Sequence, residues 1–201
     1  MSKFYFWGPL LLKTQVEDKN LELIKNLCNK DENLNYRDSL AGHIHDEYKI
    51  DCKKLQEYLK PNLIEFTNCF AKYYDTYARD LKISGAWVNY MKKGEFNPPH
   101  THDSDFSAVL FLNVPDELKK EQKEHEKIGV RSNCPGSLSF LASVSSPNYF
   151  INSNTFFPEK GNMFIFPARL IHFVFPFKSD IERVSIAYNI EFISKKTEIF
   201  T

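Results

Sequence analysis

From Ile83 the chain changes period and keeps the new one. "ISGAWVNYMKKG", "SAVLFLNV", "GSLSFL", "NYFINSNTFF", "NMFIFPA", "HFVFPF" and "RVSIAYNIEFI" are short aromatic and β-branched runs separated by Gly, Pro, Asn and Ser. Runs of this length, punctuated in this way, are strands joined by tight turns. Some seven of them in sequence predict a sandwich or jelly roll.

The first 82 residues read differently. "FYFWGPLLLKTQV" is expected to be a strand joining a sheet edge. From Asp18, Leu21, Ile24, Leu27 and Cys28 recur at helix spacing. "SLAGHIHDEYKID" is loop or short extended segment, and the stretch from Asp51 to Leu81 is helical, with Leu63, Phe66, Phe70, Tyr73 or Tyr74, and Tyr77 on one face. Pro61 opens or kinks its second part. The expected organisation is one α+β domain spanning 1–201, with an N-terminal strand and helices (1–82) packed on one face of a β core (83–193). The charged segment 116–133, "DELKKEQKEHEKIGVRSN", is read as a solvated insertion, a plain surface loop or a mobile lid over a site in the barrel mouth.

Composition excludes some partners. Lysine plus arginine equals aspartate plus glutamate, 26 each, so no net field draws nucleic acid or an anionic membrane. No apolar stretch is long enough to span a bilayer, and "MSKFYFWGPLLLK" lacks the layout of a signal peptide. Cys28, Cys52, Cys69 and Cys134 form no C-x-x-C pair, which fits reduced thiols in a cytoplasmic protein.

The chemistry-bearing residues cluster late. In "FNPPHTHDSDFSAVL", residues i and i+2 of a strand share a face, so His100 and His102 aim together while Thr101 points away. Pro98 and Pro99 cannot join a sheet interior, which puts the histidines at a strand end where a pocket can open. His172, in "GNMFIFPARLIHFVFPF", is a third candidate ligand. Eleven residues later comes Arg183, sharing a strand face with Ser185. An inward arginine on an apolar strand has no use unless it meets an anion; the bland alternative is a solvent-facing arginine near Glu182 and Asp180. His43 and His45 repeat the His-x-His spacing without that context and read as loop residues; His125 reads as solvated.

A His-x-(Asp/Glu or substitute), a distal His and then Arg-x-Ser resembles the Fe(II)- and 2-oxoglutarate-dependent oxygenases of the double-stranded β-helix (jelly roll) fold. "WVNY…GEFNPPHTHDSDFSAVLFL" followed by "GNMFIFPARLIHFVFPF…RVSIAYN" is similar to their prolyl-4-hydroxylase-like branch in phages and marine bacteria, over about Ile83 to Phe192. The resemblance implies Fe(II) and 2-oxoglutarate as cofactors, with O2 as cosubstrate and a second substrate that is prolyl or peptidyl. The location it implies is cytoplasmic, the host cytoplasm for a phage-encoded protein. It makes His100 and His172 ligands, gives Arg183 and Ser185 the distal carboxylate of 2-oxoglutarate, and lets Tyr90 donate a hydrogen bond to it. Where relatives carry a further tyrosine, this chain has Phe111, which cannot donate.

One position departs from the pattern. His102 stands where the family carries Asp or Glu. Three readings follow: His102 is itself a ligand, which parity favours; Asp103 or Asp105 reaches the metal from a bulge; or water completes the shell. The rival functions are a three-histidine cupin-type dioxygenase without 2-oxoglutarate, against which Arg183 and Ser185 speak, and a non-catalytic jelly-roll binding protein. Oligomeric state is left open by the sequence.

Overall fold

A computed structural model describes residues 3–6, 8–127, 134–142 and 153–193. The opening aromatic run is two strands rather than one: β1 (Lys3–Phe6) and β2 (Leu10–Gln15) form an antiparallel hairpin. Gly8 turns it at φ +100°, a conformation that side chains with a Cβ disfavour. β1 lies at the sheet edge, whereas β2 is paired on both sides.

The helices follow their apolar spacing. α1 (Asp18–Lys25) buries Leu21 and Ile24. After β3 (Glu47–Lys49), Asp51 caps α2 (Cys52–Tyr58), accepting from the backbone N–H of Lys53 at 2.9 Å and of Lys54 at 3.1 Å. Pro61 lies in the first turn of α3 (Lys60–Tyr73), where its missing N–H costs nothing. The helix stops at Tyr73, so Tyr77 does not join its buried face and stands 89% exposed.

Eight strands follow: β4 (Leu81–Lys92), β5 (Asn97–His100), β6 (Phe106–Asn113), β7 (Leu138–Leu141), β8 (Ser153–Phe156), β9 (Asn162–Pro167), β10 (Ile171–Val174) and β11 (Glu182–Phe192). They form a seven-stranded sheet in the order β1-β2-β9-β6-β11-β4-β3 and a four-stranded sheet in the order β5-β10-β7-β8, every pair antiparallel. The proline-bearing β5 is an edge strand, where prolines forfeit no interior ladder bond.

The larger sheet is buried on both faces. Val88, Leu110, Ile165, Ile186 and Tyr188 meet Leu55, Leu63 and Phe66 of α2 and α3 in one core. The alternate residues Met91, Phe111, Phe164 and Phe166 face the smaller sheet and pack with Leu138 and Phe140. Two-sided burial accounts for the nearly unbroken apolar strands.

The charged segment is not a solvated loop over its described part. Asp116–Lys127 forms α4, which buries Leu118 and Gln122, one helical turn apart. Glu121 fastens it to the segment before β11, accepting from Lys178 N at 2.9 Å and Ser179 N at 2.8 Å. Residues 128–133 lie outside the described residues.

Candidate metal and cosubstrate centre

His100 ends β5 and His172 lies on β10, directly opposite it in the ladder. His102 is two residues past the strand, held by its N–H donating to Ala168 O at 2.9 Å. The ring centroids are 4.2 Å apart for His100 and His172, 4.9 Å for His100 and His102, and 5.2 Å for His102 and His172. One ring nitrogen from each falls within 4.8 Å of the others, a spacing that can hold one metal ion.

The protonation states suit that use. Burial lowers the His100 pKa, and burial together with His100 takes His102 down to about 4. Burial, then the His100 and His102 charges, takes His172 down to about 3. Neutral rings keep a lone pair for a ligand bond. Nδ1–H of His100 donates to Pro98 O at 2.7 Å and that of His172 to Leu170 O at 2.9 Å, which leaves each Nε2 as the free donor atom.

The two aspartates are engaged elsewhere. Asp103 is exposed and paired with Arg169, and Asp105 Oδ2 accepts from Phe192 N at 2.8 Å. Neither carboxylate joins the histidine cluster.

Arg183 is 1% exposed and Ser185 2%, and both line the cavity that holds the three histidines. The solvent-facing alternative for Arg183 does not hold. Nη1 donates to Gly136 O at 2.7 Å, while the buried Nε has no acceptor. Burial lowers its pKa to about 10, so it stays cationic at neutral pH. Among the described residues no carboxylate pairs with it, leaving a buried charge that a ligand anion can neutralise. The ring of Phe111 lies 5.3 Å from the guanidinium carbon.

Tyr90 does not reach this cavity. It faces the helices, 6.2 Å from the Tyr48 ring and under Lys30 Nζ at 4.4 Å. Its neighbours Trp87 and Asn89 occupy the cavity face of β4 instead. A strand buried on both sides gives no hydropathy signal for which parity faces the site, and that is why Asn89 escaped sequence reasoning. Asn97 and Ile44 also line the cavity. His43 stacks on Phe96 with centroids 4.6 Å apart, and His45 Nδ1 meets Glu95 Oε1 at 2.6 Å.

Residues 85–189 match the family model described as "Putative 2OG-Fe(II) oxygenase". No curated protein matches by sequence. Among solved structures, the chain is similar to a 2OG-Fe(II) oxygenase family oxidoreductase from Burkholderia pseudomallei (18% identity, 92% of this chain and 84% of that one, TM-score 0.55). It is also similar to the viral collagen prolyl hydroxylase of Paramecium Bursaria Chlorella virus-1 in its 2OG complex (13%, 90% and 94%, TM-score 0.54). A Pseudomonas putida prolyl-4-hydroxylase gives 16% identity, 92% of each chain and a TM-score of 0.54. At these identities the likeness establishes the shared double-stranded β-helix architecture.

Proposed function

The chain belongs to the 2-oxoglutarate- and Fe(II)-dependent oxygenase family, and from that premise we propose that His100, His102 and His172 hold its iron while Arg183 and Ser185 hold its cosubstrate. When bound, Fe(II) and 2-oxoglutarate supply the oxidative decarboxylation of the cosubstrate to succinate, coupled through O2 to hydroxylation of a substrate C–H bond. The observation that carries the assignment is the convergence of three neutral imidazoles in one cavity with a fully buried guanidinium that, among the described residues, has no carboxylate partner.

Each residue's part follows from its surroundings. Pro98 O and Leu170 O fix the His100 and His172 rings by engaging Nδ1, so that Nε2 of each would be the atom to hold a metal. His102 takes the place of the family carboxylate, which leaves the centre one unit more positive than a site built from two histidines and a carboxylate. Arg183 pairs with the distal carboxylate of 2-oxoglutarate through its free donors, and the Ser185 hydroxyl adds a hydrogen bond. Phe111 packs beneath the guanidinium and supplies no donor. Arg183 also argues against a cupin-type dioxygenase that dispenses with 2-oxoglutarate.

The second substrate is prolyl or peptidyl in this reading, supported by likeness to two prolyl hydroxylases. Among the described residues no helix is long and apolar enough to cross a membrane. The four cysteines are unpaired, and we infer a cytoplasmic setting with no nucleic-acid partner.

The test is anaerobic titration with Fe(II) and then 2-oxoglutarate. A weak visible charge-transfer band is expected in the wild type and is expected to vanish in Arg183→Ala at low 2-oxoglutarate. No band at any concentration overturns the proposal.

A further inference from the structure

Two buried carboxylates lie beside β4, and their surroundings differ. Glu95, 8% exposed, accepts from His45 N at 3.1 Å, from Lys92 N at 2.7 Å and from the His45 ring. Glu47, 1% exposed, leaves Oε2 buried with no donor among the described residues. Stability of the fold alone gives no reason to bury an unpaired carboxylate, because its desolvation goes uncompensated.

Glu47 is the direct cross-strand partner of Asn89, so their side chains share the sheet face that looks into the histidine cavity. Asn89 is 6% exposed, and among the described residues its Oδ1 also lacks a donor. Asn97 Oδ1, from β5, is a third buried acceptor without one. A Cβ placed on Gly42 would lie 3.5 Å from both Asn97 Oδ1 and Glu47 Oε1, so the two side chains approach the same point from opposite sheets. Arg37, whose charge opposes the effect of burial on Glu47, is exposed, and no ion pair joins the two.

Three acceptors, one of them a carboxylate, neighbour one another, Glu47 with Asn89 across the ladder and Glu47 with Asn97 around Gly42, beside the cavity lined by the three histidines and Arg183. Their complement is a group that carries positive charge and only donors. A hard metal ion would call for six or more oxygens and is poorly served by one carboxylate and two amides. We propose that Glu47, Asn89 and Asn97 form a subsite for a nitrogen cation, the ammonium or guanidinium of the substrate, next to the histidine centre. This deepens the oxygenase reading, on which it rests, by naming a chemical class for the group that the substrate presents there.

Trp87 lines the same cavity and offers a fluorescence signal. Dissociation constants for n-butylammonium, n-butylguanidinium and n-butanol are measured above neutral pH, where the buried Glu47 carboxyl is ionised, on the metal-free full chain, in wild type, Glu47→Gln and Asn97→Leu, with thermal melting to confirm folding. At least one cation is expected to bind about tenfold or more tightly than n-butanol to the wild type, and the stronger of the two identifies which cation the subsite takes. That preference is expected to disappear in Glu47→Gln and shrink in Asn97→Leu. Equal affinity for the alcohol and both cations, or a preference unchanged in a folded variant, overturns the proposal. The anaerobic charge-transfer band is read separately on the wild type, so its absence counts against the iron and 2-oxoglutarate assignment alone.

Discussion

His100 and His172 differ from His102 in what fixes their rings. A backbone carbonyl accepts from Nδ1 of each of the first two, while the His102 ring lies against Trp87 with centroids 5.8 Å apart. Orientation by a hydrogen bond commonly contributes on the order of 10 to 100-fold in metal affinity. His100→Ala and His172→Ala are therefore expected to lose Fe(II) affinity by on the order of 100-fold or more, and His102→Ala by a smaller factor that is still measurable in a competition titration. His102→Asp is expected to bind Fe(II) at least as tightly as the wild type, because it adds one negative charge. Unchanged affinity in His102→Ala would assign the third position to water. Parity in the sequence already paired His100 with His102, but it could not show that His102 lies beyond the strand and owes its place to Ala168.

Glu47 makes a second prediction at the same scale. Burial, reinforced by the charge of Glu95 and opposed by Arg37, raises its carboxyl from 4.5 to about 7. Between those values the folded chain holds a proton that the unfolded chain has released. Stability from this group is thus full below about pH 4.5 and is lost as the pH rises toward 7. Glu47→Gln removes the titration, so the wild type minus variant difference in unfolding free energy is expected to fall across this window, by at most about 3 kcal/mol. The cavity histidines act in the opposite direction, but they are present in both proteins and cancel. Urea unfolding at several pH values reads the difference, and a flat difference would show that Glu47 titrates normally.

At the scale of elements, the strand that carries Arg183 depends on a turn from the other sheet. Gly136 adopts φ +68°, and a Cβ there would lie 2.9 Å from Leu118 Cδ2 of α4. Its carbonyl is the acceptor for Arg183 Nη1. Gly136→Ala is expected to cost about 1–3 kcal/mol in stability and, with Arg183 in its proposed role, to raise the KM for 2-oxoglutarate several-fold while kcat changes less. An unaltered KM would detach the turn from the arginine. The sequence revealed most elements through their period, and it failed where two signals coincide. Pro98 and Pro99 hid β5 as a strand of its own, charge hid the Leu118 and Gln122 stripe of α4, and two-sided burial hid which face of β4 carries the site, which misplaced Tyr90.

Across the whole molecule, the larger sheet separates a layer that supports the fold from a layer that also shapes the site. Phe66 and Phe166 are both fully buried, but on opposite sides of that sheet. The Phe66 ring packs edge-on against Phe106 at 4.9 Å, among helix and sheet residues only. The Phe166 ring lies 4.7 Å from His172 and 4.8 Å from Phe140. Either truncation to alanine is expected to cost about 3–5 kcal/mol, since each removes a ring from a packed core. The costs separate in function. Phe66→Ala is expected to lower Tm while the folded fraction keeps wild-type Fe(II) and 2-oxoglutarate affinities, because no atom near the cavity loses its support. Phe166→Ala is expected to lower Tm by a similar amount and also to weaken Fe(II) binding, because the His172 ring loses the wall against which it stands. Tm and metal titration on the two variants decide the matter: equal loss of metal affinity in both would mean that the two layers act as one body, and the site draws on the helices as much as on the strands that bear it.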